Sequence, residues 1–380
     1  MNKKHTLIAA LACMAAPFVQ AQINMGMVGD SLTDDYLGGP ARANNNLAAY
    51  SWGQILADTR GSDFNFGAYK SVSDGSWDNI RYSGYEYNYA TSGAAASNNT
   101  VQRIQGGLEV AVDASWASGS SYLSSQTAGL STHIASGSVD TVFVGIGSND
   151  FFYRSSTFDF AGNATLDNPV NVSQLDADDI SASILAGVDT LIAAGNSDIL
   201  LALLPEGTAG GAPPEVLAAI QSVNDILTQG ASSRGVAVVD LWGWTSEAGR
   251  VNLDGSVNVG GIQINASTSA SAMDVSAVGS GPCNSEGLCA LSSHANHYAA
   301  EDGLHPNTLI QGLMANQIIS ALNQSYGHNI QALSDQELLA VAGVSEVPVP
   351  AAFWFFASSL LGLRVVQSRS RRAARVATSA

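Results

Sequence analysis

The chain contains five short apolar runs separated by segments of helix length, and this pattern constrains its fold more than any other feature. The runs cover residues 23–28, 85–90, 139–146, 198–204 and 236–241. Apolar residues recur at three- and four-residue spacing in 177–194, 214–232 and 307–322, which predicts helices there. Strands that alternate with helices form a parallel sheet with both faces covered. The pattern therefore predicts an α/β fold with a parallel sheet of about five strands.

Two polar regions interrupt this alternation. Residues 61–84 are polar and aromatic, and form an insertion after the first predicted helix. Residues 245–300 are rich in Gly, Ser and Asn, and the alternation of apolar and polar residues in 251–267 predicts small β-hairpins. A connection of this length in a compact domain usually serves as a lid or a binding surface. We therefore expect residues 245–300 to form a lid-like region.

The first residues, MNKKHTLIAALACMAAPFVQAQ, have the pattern of a secretory signal peptide. Lys3 and Lys4 precede an apolar stretch over 7–19, and the small residue Ala21 ends a cleavage site. The stretch is too short and has the wrong flanks for a membrane span. We expect signal peptidase to remove residues 1–21, so that the mature chain begins near Gln22 and works outside the cytoplasm.

The C-terminal end reads VPVPAAFWFFASSLLGLRVVQSRSRRAAR. Its uncharged run over 351–363 has 13 residues, whereas a permanent span needs roughly 20. The arginines after the run would keep that end on the cytoplasmic side. This segment resembles the PEP-CTERM sorting signal of Gram-negative bacteria, with VPVP where that family usually has Val-Pro-Glu-Pro. The resemblance implies recognition by an exosortase, cleavage near 348–350, transient anchoring, and delivery to the cell surface or extracellular matrix.

The strongly negative net charge of the mature chain argues against nucleic acid as a partner. Residues 22–350 hold all 32 acidic residues but only eight basic ones, which gives the mature chain a net charge of −24. Such a surface repels nucleic-acid phosphates and anionic lipid headgroups at long range. The apolar content of 46% is ordinary for a folded domain, so the acidity does not indicate disorder.

Two cysteines remain after removal of the signal peptide, and they frame the stretch CNSEGLC. In an exported protein, Cys283 and Cys289 are expected to form a disulfide that closes a small loop. A metal site that includes His294 and His297 is the alternative. The spacing of these four residues matches no common zinc pattern. The sequence therefore favours the disulfide and predicts no metal.

Small and polar residues follow the predicted strands. They are Gly29-Asp30-Ser31, then NYATSGAAAS at 88–97, then GIGSND at 145–150, and finally EDGLHPN at 301–307. Ligands of open α/β sheets bind beyond the carboxyl ends of the strands, so the four stretches should meet at one edge. For Ser31 alone, the simplest alternative is the N-cap of a helix.

Together these residues fit nucleophilic catalysis. A serine hydroxyl becomes a good nucleophile when a base removes its proton, and histidine is the usual base near neutral pH. Asp302 stands three residues before His305, close enough to hold the imidazole in one tautomer. Attack on a carbonyl creates an oxyanion, which requires hydrogen-bond donors such as the N–H groups of Ser31 and Gly93 and the side-chain amide of Asn149.

The blocks GDSLTD, NYATSGA, GSND and DGLHP resemble, in order, the four blocks of the GDSL or SGNH hydrolase family. The resemblance covers most of 23–323 and implies a three-layer, flavodoxin-like α/β/α fold over 22–330, with a long insertion before the catalytic histidine. It implies Ser31 as nucleophile, Gly93 and Asn149 in the oxyanion hole, and His305 as the base oriented by Asp302. No metal or organic cofactor is implied. Residues 331–347 then form a linker to the sorting segment at 348–375.

The function expected from this resemblance is that of a secreted or surface-sorted serine esterase. It would hydrolyse a short-chain, lipid or acetylated carbohydrate ester through an acyl-enzyme. An acyltransferase that uses the same acyl-enzyme and a non-catalytic surface or matrix binding protein are the alternatives. Trp242 and Trp244 could line an acyl or sugar site or pack in the core. The acidic stretch DADD at 176–179 could bind calcium or begin a helix.

Overall fold

Strands and helices alternate in the computed structural model of the chain, which describes residues 21–35, 49–77, 83–97, 101–105, 108–112, 122–155, 157–158, 164–165, 174–195, 198–205, 214–253, 255–269, 297–300 and 305–343. The strands are β1 (Ile23–Gly29), β2 (Phe64–Asn65), β3 (Tyr69–Lys70), β4 (Gly84–Tyr85), β5 (Val101–Gln105), β6 (Leu108–Val112), β7 (Thr141–Gly145), β8 (Thr157–Phe158), β9 (Ala164–Thr165), β10 (Asp198–Ala202), β11 (Ala237–Val239), β12 (Val257–Val259), β13 (Ile262–Ser269) and β14 (His297–Ala299). The helices are α1 (Trp52–Thr59), α2 (Leu123–Ala135), α3 (Ser148–Ser155), α4 (Gln174–Ala194), α5 (Pro214–Arg234), α6 (Thr308–Tyr326) and α7 (Asp335–Val341), with 3₁₀ turns at Val72–Asp74 and Gly243–Ser246.

A parallel sheet of five strands forms the centre of the fold, in the order β11-β10-β7-β1-β2. Val142 and Val144 of β7 join a core with the apolar sides of α2, α4 and α5. Phe143, between them, contacts the ring of Trp52 in α1 at a centroid distance of 4.6 Å. Because successive side chains of a strand point to opposite faces, helices cover the sheet on both sides. The predicted α/β fold is confirmed.

The second predicted strand, 85–90, is only partly regular. It lies along the carboxyl half of β1, where the N–H of Met27 donates to the carbonyl of Tyr87 at 2.9 Å and the N–H of Tyr89 donates to Met27 at 2.8 Å. The side chain of Asn88 accepts from the N–H of Ala90 and turns the chain, so an isolated bridge replaces a strand. The fifth strand of the sheet is instead β2, which lies in the predicted insertion 61–84.

The inserted region contains the predicted hairpin. Strands β12 and β13 pair antiparallel, with Val259 opposite Ile262. The two residues between them, Gly260 and Gly261, have φ of 53° and 86°, which glycine adopts without strain. Cys283, Cys289 and His294 lie outside the described residues, as do residues 1–20 and 344–380, so the disulfide and both export segments stay predictions.

The first part of the predicted linker 331–347 is folded. Helix α7 is capped by Ser334, and Leu338 in its middle is buried against α6. Arg60, at the end of α1, donates to the carbonyls of Gln331 and Ala332 and to the carboxylate of Glu337 at 2.8, 3.1 and 2.9 Å.

The hydrogen bond from Arg60 is also the main cause that lowers the pKa of Glu337 to about 2. Residues up to 343 therefore belong to the folded domain. Among the helices that the structure describes, none combines the length and the apolar character that a membrane span requires.

Candidate active site

The carboxyl ends of β1 and β7 touch at two glycines. Gly29 pairs with Gly145 in the parallel register. A Cβ atom on Gly29 would collide with the carbonyl oxygen of Gly145 and lie 2.9 Å from the hydroxyl of Thr33. Only glycine permits this approach, and it lets the N–H of Asp30 donate to the carbonyl of Gly145 at 3.2 Å.

The chain turns sharply after β1. Asp30 organises the turn, because its carboxylate accepts from the N–H of Leu32 at 3.0 Å and its carbonyl accepts from the N–H groups of Thr33 and Asp34 at 3.1 and 3.0 Å. Ser31 lies at the tip and is partly exposed. Residues 31–35 form a turn, and the next helix that the structure describes, α1, has Ser51 as its N-cap. Ser31 therefore caps no described helix. The serine therefore stands at the edge of the sheet, as the sequence predicts.

The second block lies against this turn. Asp34 is buried, and its carboxylate accepts from the N–H of Ser92 at 2.9 Å. The side-chain amide of Asn88 donates to the carbonyl of Thr33 at 3.1 Å. These bonds hold Gly93, which has a φ of 77°, beside the residues that follow Ser31.

The third block begins α3 and is joined to the second block. The side-chain amide of Asn149 donates to the carbonyl of Ala94 at 2.9 Å. The buried carboxylate of Asp150 accepts from the N–H groups of Ala96 and Ser97 at 2.8 and 3.0 Å. Three hydrogen bonds thus connect Asn149 and Asp150 to the four residues that follow Gly93.

The fourth block places His305 immediately before α6. The imidazole is buried, with 5% of the residue exposed, and the carbonyl of His305 accepts from the N–H of Ala300 at 2.7 Å. Asn307 caps α6, since its side chain accepts from the N–H of Ile310 at 3.0 Å. Asp302 lies outside the described residues, so its pairing with His305 stays a prediction.

Electrostatic interactions link the first, third and fourth blocks at Asp30. Burial raises the pKa of Asp30 to about 7, while the N–H of Leu32 and the charge of His305 act in the opposite direction and Asp150 adds a smaller increase. The histidine of the fourth block and the acid next to Asn149 therefore both lie within electrostatic range of the residue that precedes Ser31. The structure brings together Ser31, Gly93, Asn149 and His305 at one edge of the sheet.

A narrow cleft opens beside Asp30 at this edge. Its lining is mostly apolar and includes Leu32, Ile146, Leu203, Leu204, Leu241 and Trp242. Trp244, in contrast, is buried in the core. In the part of the chain that the structure describes, no group of three or more His, Cys, Asp or Glu side chains is arranged to hold a metal ion.

Gln126 in α2 is a supporting residue that sequence reasoning missed. Its fully buried side chain accepts from the N–H of Gly29 at 2.7 Å and donates to the carbonyl of Gly29 at 2.9 Å. It therefore fixes the last residue of β1 before the turn. The sequence did contain a signal for this role. Leu123 and Leu130 stand three positions before Gln126 and four after it, so the glutamine lies on the apolar face of the helix.

Replacement of Gln126 tests this support. Gln126→Leu keeps the approximate volume but leaves the buried N–H of Gly29 unpaired, so we expect the free energy of unfolding to fall by about 1–3 kcal/mol in urea denaturation. Thr127→Val is the matched control, because the Thr127 hydroxyl bonds only to carbonyls of its own helix. Equal losses in the two variants would contradict the assigned role.

Asp30 makes stability depend on pH. Its folded-state pKa of about 7 exceeds the ordinary 3.8, so its stabilising contribution is complete below about pH 4 and is lost as the pH rises to about 7. Relative to Asp30→Asn, which has no titrating carboxyl, the wild-type protein should lose stability across this interval in denaturant titrations. Asp74→Asn is the control, because the pKa of exposed Asp74 is lowered by its bond to Ser71. A wild-type-to-Asp30→Asn difference that is independent of pH would refute the shift.

Several solved structures are similar to this chain at low identity. The acetylxylan esterase Axe2 from Geobacillus stearothermophilus is 12% identical over 83% of this chain and 99% of that one, with a TM-score of 0.38. A GDSL-like lipase from Bacteroides thetaiotaomicron is 11% identical over 84% and 98%, with a TM-score of 0.36. A member of the lipolytic G-D-S-L family from Veillonella parvula is 12% identical over 80% and 99%, with a TM-score of 0.37. These values are too low to support a conclusion about substrate.

No curated protein matches the chain. The family model of the GDSL-like lipases and acylhydrolases, however, matches residues 25–318. That range begins in β1, ends in α6 and includes all four blocks at the edge of the sheet. The chain therefore belongs to the GDSL-like lipase/acylhydrolase family and is a carboxylic ester hydrolase.

Proposed function

We propose that this hydrolase is a serine esterase in which Ser31 is the nucleophile and His305 is the general base. Asp302 orients the imidazole. The N–H groups of Ser31 and Gly93 and the side-chain amide of Asn149 form the oxyanion hole. The observation that supports these roles is that the four blocks meet at one edge of the sheet: His305 and Asp150 lie within electrostatic range of Asp30, and Asp34, Asn149 and Asp150 bond to the segment that carries Gly93.

The reaction proceeds in two steps. The Oγ of Ser31 attacks the ester carbonyl carbon while its proton passes to His305, and the tetrahedral oxyanion is held by the donors of the oxyanion hole. Its collapse breaks the ester bond, and His305 returns the proton to the departing alcohol. In the second step, His305 accepts a proton from water while the water oxygen attacks the acyl carbon. The intermediate collapses as His305 returns that proton to the Oγ of Ser31, and the carboxylic acid is released. Atoms balance without a cofactor.

The composition of the inserted region favours a small acyl group. The cleft beside Leu32 offers apolar side chains next to the turn that carries Ser31. Residues 245–300 are polar, however, and give a long acyl chain little apolar surface to bind. The acidic surface disfavours anionic lipid interfaces. We therefore favour small soluble or acetylated carbohydrate esters as substrates.

The hydrolase would act outside the cytoplasm. The signal peptide would take the chain out of the cytoplasm, and the PEP-CTERM-like segment would deliver it, through an exosortase, to the cell surface or matrix of a Gram-negative bacterium. In this oxidising compartment Cys283 and Cys289 would form a disulfide.

Purified mature protein should hydrolyse p-nitrophenyl acetate and butyrate faster than the palmitate. Ser31→Ala and His305→Ala should abolish turnover, and Asn149→Ala should lower kcat by about 10²–10³ because one oxyanion donor is lost. Ser233→Ala and His328→Ala, both remote from the site, serve as controls with unchanged turnover. Activity that survives Ser31→Ala would exclude the serine mechanism. Ester products with an added alcohol would indicate acyl transfer, and an inert folded protein would favour a binding role.

The intact mass of the mature protein tests the predicted cleavage at both ends of the chain. In a Gram-negative host with an exosortase, protein from the cell surface should begin near Gln22 and end near 348–350. It should not react with a maleimide until it is reduced. Replacement of both Pro348 and Pro350 by Ala should leave the C-terminal segment attached, whereas Pro40→Ala should not. Surface protein that retains residues 351–380 in the wild type would argue against the sorting signal.

A further inference from the structure

The short strand β14, at the end of the inserted region, determines where the backbone of His305 lies. The N–H of Ala300 donates to the carbonyl of His305 at 2.7 Å, and the N–H of Asn307 donates to the carbonyl of Tyr298 at 3.0 Å. Between these two bonds, Ala299 and Pro306 form an antiparallel bridge. The segment 298–300 is therefore paired with 305–307 through their backbones.

Pairing with the hairpin is a weak anchor for β14. Its partner, β13, contacts it with an irregular register, in which Asn265 pairs with His297 and Ser269 pairs with Ala299. Three residues of β14 thus oppose five of β13. A ladder interrupted in this way fixes the position of a strand less firmly than a continuous one.

The side chain of Tyr298 supplies a second anchor. Its hydroxyl accepts a hydrogen bond from the indole N–H of Trp242 at 2.7 Å. Trp242 is 7% exposed and lies just after the end of β11. There its backbone N–H donates to the carboxylate of Asp240 at 2.9 Å. Burial raises the pKa of Tyr298 to about 12, so the phenol stays neutral over the working range. This bond connects β14 to the central sheet.

We propose that Tyr298 is a positioning residue for the reaction: its hydrogen bond with Trp242 holds β14 against the sheet, and β14 holds His305 in line with Ser31. The inference rests on the proposed role of His305 as the base. A displacement of about 1 Å at a reacting group costs on the order of 10²-fold in rate. Tyr298 acts through the backbone of β14 and not through the substrate, so its loss should affect turnover and leave binding intact.

Tyr298→Phe removes the acceptor and keeps the ring. We expect kcat toward p-nitrophenyl butyrate to fall about 10- to 100-fold, with KM within about twofold of the wild type. The matched control is Tyr326→Phe. The Tyr326 hydroxyl is also partly buried and bonds to Ile199 and Ala237, but at the amino ends of β10 and β11, away from the site. Equal kcat values for Tyr298→Phe and the wild type would overturn the inference.

A double-mutant cycle assigns the effect to the one bond. Trp242→Phe removes the donor of the bond. Because the bond is then already absent, adding Tyr298→Phe to Trp242→Phe should lower kcat by a further factor of less than about two. Effects that multiply would mean that the two side chains act separately, which contradicts the proposal.

Two further readouts distinguish failure of this inference from failure of the proposed function. The rate at which a fluorophosphonate modifies Ser31 should fall in Tyr298→Phe as kcat does, and should be lost in His305→Ala. The NMR chemical shift of the His305 ring, assigned from the His305→Ala spectrum, should move in Tyr298→Phe and stay fixed in Tyr326→Phe. If the ring signal moves in Tyr298→Phe while the wild-type protein is inert toward the probe, positioning is supported and the esterase mechanism is refuted. An unmoved ring would refute positioning whatever the activity.

Discussion

The contact between Gly29 and Gly145 is the constraint on which the rest of the site depends. The two backbones can approach this closely only because residue 29 has no Cβ atom, which would collide with the carbonyl oxygen of Gly145. The contact brings the ends of β1 and β7 together, and these two strands carry the first and third blocks. Gln126 then bonds to both the N–H and the carbonyl of Gly29, and the N–H of Thr91 also donates to that carbonyl. A larger residue at position 29 would therefore separate the blocks before it affected any reacting group.

Carboxylates serve mainly as cross-links in this acidic protein. Asp34 and Asp150 are each buried, and they accept one and two hydrogen bonds, respectively, from backbone N–H groups of the segment that carries Gly93. Asp35 does the same for the N–H of Tyr85 and the side-chain amide of Asn88. A buried carboxylate that accepts several such bonds is strongly held. The loop that supplies the second block is therefore fastened to both neighbouring blocks by acids close to the predicted catalytic residues.

Periodicity was enough to predict the strands that are buried on both faces and the long helices. Apolar runs locate β1, β7 and β10, and the alternation of apolar and polar residues in 251–267 predicts the β12–β13 hairpin. Strand β2 escaped prediction because two residues in a polar segment carry no periodic signal. The four motifs indicated which edge of the sheet to examine. The supporting bonds of Gln126 and Tyr298 depend on residues about 100 and 56 positions away along the chain, which no local pattern specifies.

Helix α7 limits how much of the C-terminal end can be trimmed. It packs on α6, the helix that begins directly after the His305 turn, and two asparagines of α6 exchange paired bonds with Ile330 and Leu333 on the approach to α7. A protease that cut upstream of 343 would remove α7 from α6 and loosen the helix that begins after His305. The proposed cleavage near 348–350 lies only a few residues beyond this boundary. A sorting enzyme that cleaved near 348–350 would therefore have only a few residues between its cleavage site and the folded domain.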